Sequence, residues 1–242
     1  MTPILQTCLP DDMRQSRALP GVAPAAARDW LRVDDAYAAQ MQRRISLLDT
    51  RRTRVLWLDP TAMHAAREVL TEALDVLPDL GFAVNETRVH CPDGRSVDLD
   101  QYDPLGTLGR LVQEDIVLMR KQGPEHVLVD AVLCFPASWR LDEKIGKPLV
   151  GIHAPVPEYD GDLARRVQRL FDGVRVGRPL WRFNRLWYDD PELHQPLSEH
   201  APRRITSDAR AAPFIRSERQ CILRLPQTDV VVFSIHTYVV RP

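Results

Sequence analysis

His126-Val-Leu-Val-Asp-Ala-Val-Leu-Cys-Phe135 is apolar, rich in β-branched residues and stopped by Pro136. A run of this length and composition, closed by a residue that cannot donate to a ladder, reads as a strand. Downstream, Asp142 to Lys147 reads as a short polar turn of helix and Gly161 to Asp172 as an amphipathic helix. Leu180 to Tyr188, Gln220 to Leu225 and Val230 to Val240 read as three further strands, the last two joined by a turn at Gln227-Thr-Asp229. With a short strand or turn near Trp139, the order from residue 126 is strand, short strand, helices, then three strands.

That is the order of a PAS-like antiparallel five-stranded sheet with helices on one face, so the expected class is α+β. Such a sheet leaves a pocket between helix and strand in which a flat apolar cofactor can be buried. Upstream, Tyr37, Met41, Ile45 and Leu48 recur at helical spacing, and Asp59-Pro60-Thr61 opens a second amphipathic segment through Val69, Leu70, Leu74 and Leu77. Pro92-Asp93-Gly94 turns a hairpin between Arg88-Val-His90 and Arg95-Ser-Val97. Leu108, Leu111, Val112, Ile116 and Met119 then predict a third long helix over Leu105 to Arg120. These pieces make an N-terminal helical layer. Residues 1–28, broken by Pro3, Pro10, Pro20 and Pro24, read as an extended arm, and residues 29–242 as one domain.

The 242 residues suffice for one well-filled core. With 32 Lys plus Arg against 33 Asp plus Glu, no net field favours nucleic acid or an anionic membrane. Cys8, Cys91, Cys134 and Cys221 show no C-x-x-C spacing, which argues against a zinc ribbon or an iron–sulfur cluster in this chain. No apolar run approaches the ~20 residues of a membrane span, and Asp11 and Asp12 stand where a signal peptide would be apolar. The expectation is a cytoplasmic protein with reduced thiols. Dinucleotide, P-loop, nucleophile-elbow and zinc-protease motifs are missing, so electrons for redox chemistry must come from elsewhere.

Among seven histidines, His153 stands out between Ile152 and Ala154-Pro-Val-Pro157, where two prolines fix φ beside the imidazole. A soft-to-borderline iron in an apolar pocket needs one such rigid neutral nitrogen, with the opposite face left free for a gas or substrate. Spacing alone also allows a surface or satisfied core histidine.

The run Cys134-Phe-Pro-Ala-Ser-Trp-Arg-Leu-Asp-Glu-Lys-Ile-Gly-Lys-Pro-Leu-Val-Gly-Ile-His-Ala-Pro-Val-Pro157 resembles the central motif of the haem-dependent oxidative N-demethylase family. Leu111-Val-Gln-Glu-Asp115, Arg182-Phe-Asn184 and Arg216-Ser-Glu-Arg-Gln220 agree with it, and the likeness covers roughly residues 29 to 240. The resemblance implies a haem-binding PAS domain that oxidises a small methylamine with O₂ and releases formaldehyde. It implies haem b in this chain, with NADPH, FMN and a 2Fe-2S cluster confined to a partner reductase.

By the same resemblance His153 is the axial ligand; with haem there, Phe135 and Trp139 either pack on the porphyrin or are ordinary core aromatics at a strand end, and Lys144 and Lys147 either meet propionates or stay exposed on a short helix. Arg182, Glu218 and Arg219 become candidates to polarise bound O₂ or hold an ammonium, the alternative being an ordinary salt-bridge ladder on the exposed face; strand neighbours point oppositely, so Glu218 and Arg219 should not share a face. A carboxylate among Gln113, Glu114 and Asp115 can serve a substrate cation, an arginine at a propionate, or a helix-to-sheet ion pair. One departure is Arg185, where the family tends to have Trp, a change that bears on the substrate if this position lines the pocket. The alternatives are a non-catalytic haem PAS sensor of gas or redox state, which calls for an output domain or coiled-coil linker, and a degenerate member without activity.

Overall fold

The computed structural model describes residues 2–13, 21–154, 161–202 and 212–242. In chain order the first half contains β1 (Ala23–Pro24), α1 (Tyr37–Thr50), α2 (Arg52–Val55), β2 (Leu56–Trp57), α3 (Met63–Val76), β3 (Ala83–Val84), β4 (Arg88–His90), β5 (Ser96–Asp98) and α4 (Pro104–Leu111). The second half contains β6 (Asp115–Gln122), β7 (Glu125–Val132), α5 (Leu149–His153), α6 (Gly161–Gly173), β8 (Leu180–Phe183), β9 (Leu186–Tyr188), β10 (Phe214–Arg224) and β11 (Val231–Val240).

The run from His126 supplies β7, which turns back on β6 through Gly123 at φ +59°. The large sheet is antiparallel and orders its strands β1-β8-β10-β11-β6-β7-β2, with β9 also on β10. Its five principal strands in chain order are β6, β7, β8 continued by β9, β10 and β11. Across the sheet they run second, first, fifth, fourth, third. The expected hairpin forms a separate small sheet, β3-β4-β5.

Both faces of the large sheet are covered, and alternation along β6 shows how. Ile116 and Leu118 pack with Leu48 of α1 and Leu108 and Leu111 of α4 in the larger core. Val117 and Met119 pack with Leu149 of α5 and Phe171 of α6 in the smaller one. Where α4 crosses β7 the approach is close: a Cβ on Gly109 would lie 2.7 Å from Val132 Cγ2. Residues 2–13 also reach the sheet, since the Gln6 amide donates to the Val239 carbonyl at 3.0 Å and Met13 is buried.

Three expectations need correction. The long helix over Leu105 to Arg120 ends at Leu111, Val112 is extended, and Asp115 begins a strand. A strand buried on both faces loses its period of two, and Ile116-Val-Leu-Met119 then matches helical spacing by accident. Near Trp139 the turn forms and the short strand does not. Ser138 sits at φ 64°, Ala137 makes an isolated bridge to Gln195, and a 3-10 turn follows at Leu141–Glu143. Leu180 to Tyr188 is interrupted at Asn184-Arg185, although β8 and β9 keep one register on β10, with Phe183 opposite Arg219 and Leu186 opposite Arg216.

The polar cluster at 113–115 is consumed by the larger core. Asp115 pairs with Arg44 of α1 at 2.6 Å, and Glu114 takes the Nδ1 hydrogen of His236 at 2.8 Å. His236 Nε2 lies 3.0 Å from Asp34, so a buried imidazole stands between two carboxylates. Burial alone would lower its pKa, but Glu114 and Asp34 outweigh that and raise it to about 9. The stabilisation from this cation is therefore complete below the unfolded value near ~6.5 and fades as pH rises through about 9, on the order of 3 kcal/mol in all. In urea melts the advantage of the wild type over His236→Gln should be large at pH 6.5 and mostly gone at pH 10. An equal advantage at both would mean that His236 is folded as the neutral imidazole.

Candidate functional site

Between the smaller-core face of the sheet and helices α5 and α6 lies a cavity of about 460 Å³, within the ~300–1,000 Å³ usual for ligand sites. Its sheet side is apolar where β6, β10 and β11 contribute Val117, Met119, Ile222, Phe233 and Ile235. Leu149 and Ile152 of α5 and Val167 and Phe171 of α6 face them. Alternation on the strands puts these residues on one face, and the pattern of α6 turns its apolar stripe toward it.

His153 enters this cavity from the last position of α5. That helix begins after Pro148, whose carbonyl accepts from the Ile152 amide at 2.9 Å. One turn back from His153, the Leu149 carbonyl lies 2.9 Å from Nδ1. Only an Nδ1–H can donate to a carbonyl, so this contact selects the tautomer whose Nε2 carries the lone pair. Burial holds the imidazole pKa below its ordinary value; the Leu149 bond opposes this, while the cations Lys144 and Arg182 add to it. The ring is therefore neutral at pH 7. Pro155 and Pro157, expected to stiffen the chain after His153, lie outside the described residues.

A polar wall stands on β8 and β10. Arg182, Asn184, Glu218 and Gln220 all line the cavity, as strand alternation requires. Glu218 is buried and accepts from Asn184 Nδ2 at 3.0 Å and Gln220 Nε2 at 3.1 Å. Asn184 also takes the Glu218 backbone amide on Oδ1 at 2.8 Å, which explains why the ladder breaks there without slipping. Arg182 has a buried Nε with no hydrogen-bond partner among the described residues. Burial lowers its pKa, with Glu218 as the opposing influence.

Trp139 and Lys144 also line the cavity. Lys144 Nζ is 3.0 Å from Glu199, which Lys147 reaches at 3.1 Å. Glu143 holds the same segment by accepting from Ser198 Oγ at 2.7 Å and the Glu199 amide at 2.9 Å. Of the residues singled out in the sequence, the structure thus brings His153, Trp139, Lys144, Arg182 and Glu218 to one cavity.

Arg219 and Phe135 lie elsewhere. Arg219 is on the opposite face, bonded to Asp29 Oδ2 at 2.8 Å and stacked over Trp181 at 5.1 Å. Phe135 is buried in the larger core under the Arg44 guanidinium. It follows the end of β7, so strand parity gives it no face, whereas the parity argument did separate Arg219 from Glu218. Arg185 is exposed, donates to the Met13 carbonyl at 2.9 Å and is not among the cavity residues. Gln220 could have been found two residues from Glu218. Glu199 sits in an irregular segment where no periodicity marks it.

Residues 21–241 match the family model described as "Haem-dependent oxidative N-demethylase, alpha subunit-like". This match spans most of the chain, including the cavity wall and α5, and the chain belongs to that family.

Proposed function

We propose that this chain carries haem in the cavity through His153 and removes a methyl group from a small methylamine. The observation that carries the reading is the His153 imidazole lining a largely apolar cavity with its Nδ1 2.9 Å from the Leu149 carbonyl. The surrounding residues fit such a group. Trp139, Phe171 and Phe233 offer flat apolar contacts, and Lys144 beside the cavity suits a propionate. The order second, first, fifth, fourth, third of the five principal strands supports a PAS-like fold.

Bound haem would supply the activation of O₂. The protein's own share is binding and orientation. Glu218, held by Asn184 and Gln220, presents a carboxylate to the substrate ammonium, and the apolar floor keeps water from the reacting methyl group. Overall, the amine, O₂, two electrons and two protons give the demethylated amine, formaldehyde and water. The electrons come from a separate reductase, in keeping with a sequence without a dinucleotide fingerprint or cluster-ligand spacing.

The test is formaldehyde release from dimethylamine by haem-loaded protein supplied with O₂ and an NADPH-dependent flavin and iron–sulfur reductase. Wild type should produce formaldehyde in step with amine consumed. Glu218→Gln should lower kcat/KM about 10- to 100-fold, the worth of a charge-assisted bond, with haem content unchanged. Haem-loaded wild type that yields no formaldehyde with any methylated amine would overturn the reading.

A further inference from the structure

We propose that the substrate is an N-methylated amino acid, its ammonium held by Glu218 and its carboxylate by Arg182. This rests on the demethylase reading of the cavity and narrows the class of amine.

The treatment of arginine elsewhere in the fold carries the argument. Arg44 is paired with Asp115 at 2.6 Å, Arg219 with Asp29 at 2.8 Å, and Arg216 donates to the Phe135 and Leu193 carbonyls at 2.7 and 3.0 Å. Arg182 differs. It lines the cavity, its Nε is buried without a partner, and no ion pair within 4.0 Å is formed by it among the described residues. Arg182 as a whole is half-buried, and a guanidinium nitrogen that loses water without gaining an acceptor is costly, a cost that an arriving anion relieves.

Among the described residues, Glu218 is the carboxylate that β8 and β10 bring to this wall. Arg182 is opposite Gln220 in the β8–β10 register, so Glu218 is its diagonal neighbour, a separation of ~7–8 Å that long side chains can span. Asn184 and Gln220 hold Glu218 by its Oε2, and its Oε1 lies 3.7 Å from the Arg216 guanidinium, too far for a hydrogen bond. The wall therefore shows one cation and one anion side by side that do not close on each other. A bare dimethylammonium ion would answer Glu218 and leave Arg182 unmet. An N-methylated α-amino acid carries both charges on one carbon and answers both, and guanidinium and carboxylate match in bidentate geometry. The carboxylate takes no part in the chemistry: the bond broken is still N–CH₃, with the balance of O₂, electrons and protons given above.

Haem-loaded protein is titrated with N,N-dimethylglycine and with dimethylamine, following the absorption spectrum, and haem-free protein is titrated with both by calorimetry. The expected result is dimethylglycine bound about 10- to 100-fold tighter, with Arg182→Gln abolishing that preference while retaining haem and dimethylamine binding. Equal affinity for the two ligands in wild type overturns the proposal. So does an Arg182→Gln protein that loses haem but keeps the preference, which would assign Arg182 to a propionate. A dimethylglycine preference in a protein that takes up no haem supports the Arg182–Glu218 subsite and overturns the haem reading instead.

Discussion

Replacing Arg44 by Met should cost about 3–5 kcal/mol of stability, the penalty for stranding a buried charge. Arg44 and Asp115 are 0% and 1% exposed, and their 2.6 Å contact joins α1 to the first residue of β6. Arg44 also donates to the Gly109 and Gln113 carbonyls at 3.3 and 3.1 Å, bridging the end of α4 and the turn that follows. Asp115 in turn accepts the Cys134 and Phe135 amides at 2.7 and 2.8 Å, where the chain leaves β7. Without Arg44 the carboxylate keeps only those two amides in a dry core. Urea melts should show the loss as a lower midpoint at constant m. The double variant Arg44→Met/Asp115→Asn should recover a substantial part of it, because no charge is then left buried. A double variant as unstable as the sum of the singles would mean that the Arg44 stem and its carbonyl bonds carry the effect instead.

Replacing His153 by Ala should abolish stable haem binding and leave the fold intact. The side chain is half-buried at the end of a five-residue helix, so its removal empties little core. Loss of the proposed ligand nitrogen is another matter. Altering a group that merely orients a metal ligand costs ~10–100-fold in affinity, so deleting the ligand should exceed about 100-fold. Purified His153→Ala should lack the Soret band of the wild type and unfold at the same temperature as haem-free wild type. Added haemin should then raise the melting temperature of the wild type alone, since only binding to the native state stabilises it. A His153→Ala protein that keeps its haem assigns the ligand to another residue.

Much of this arrangement was legible before the coordinates. The His126 run, the α6 stripe and the turn at Gln227-Thr-Asp229 are local signals, strong because composition, period and stop residues agree in each. The parity of β10 separated Glu218 from Arg219 correctly, since a strand with one face on the cavity obeys its period of two. Leu105 to Arg120 was misread for a physical reason: β6 is buried by two different layers, and only tertiary packing distinguishes its apolar run from a helix. The reading of Arg185 as a possible change in the pocket followed from the Trp that the family tends to have at this position. In the fold the ladder breaks at Asn184-Arg185 and Arg185 turns to the N-terminal segment. Glu199 was not legible, because a carboxylate that bridges Lys144 and Lys147 from a loop is selected by where the chain returns in space. The Leu149 bond to His153 depends on α5 forming at all, and five residues give too little period to predict a helix.

The central claim is that His153 is the nitrogen that holds haem iron in this cavity. Its most direct test is His153→Gly reconstituted with haemin, with and without free imidazole, read by the absorption spectrum. The account predicts no stable Soret band in the variant alone and a wild-type-like band once imidazole occupies the vacated space beside Leu149. A variant that binds haemin as the wild type does, unaffected by imidazole, would contradict it.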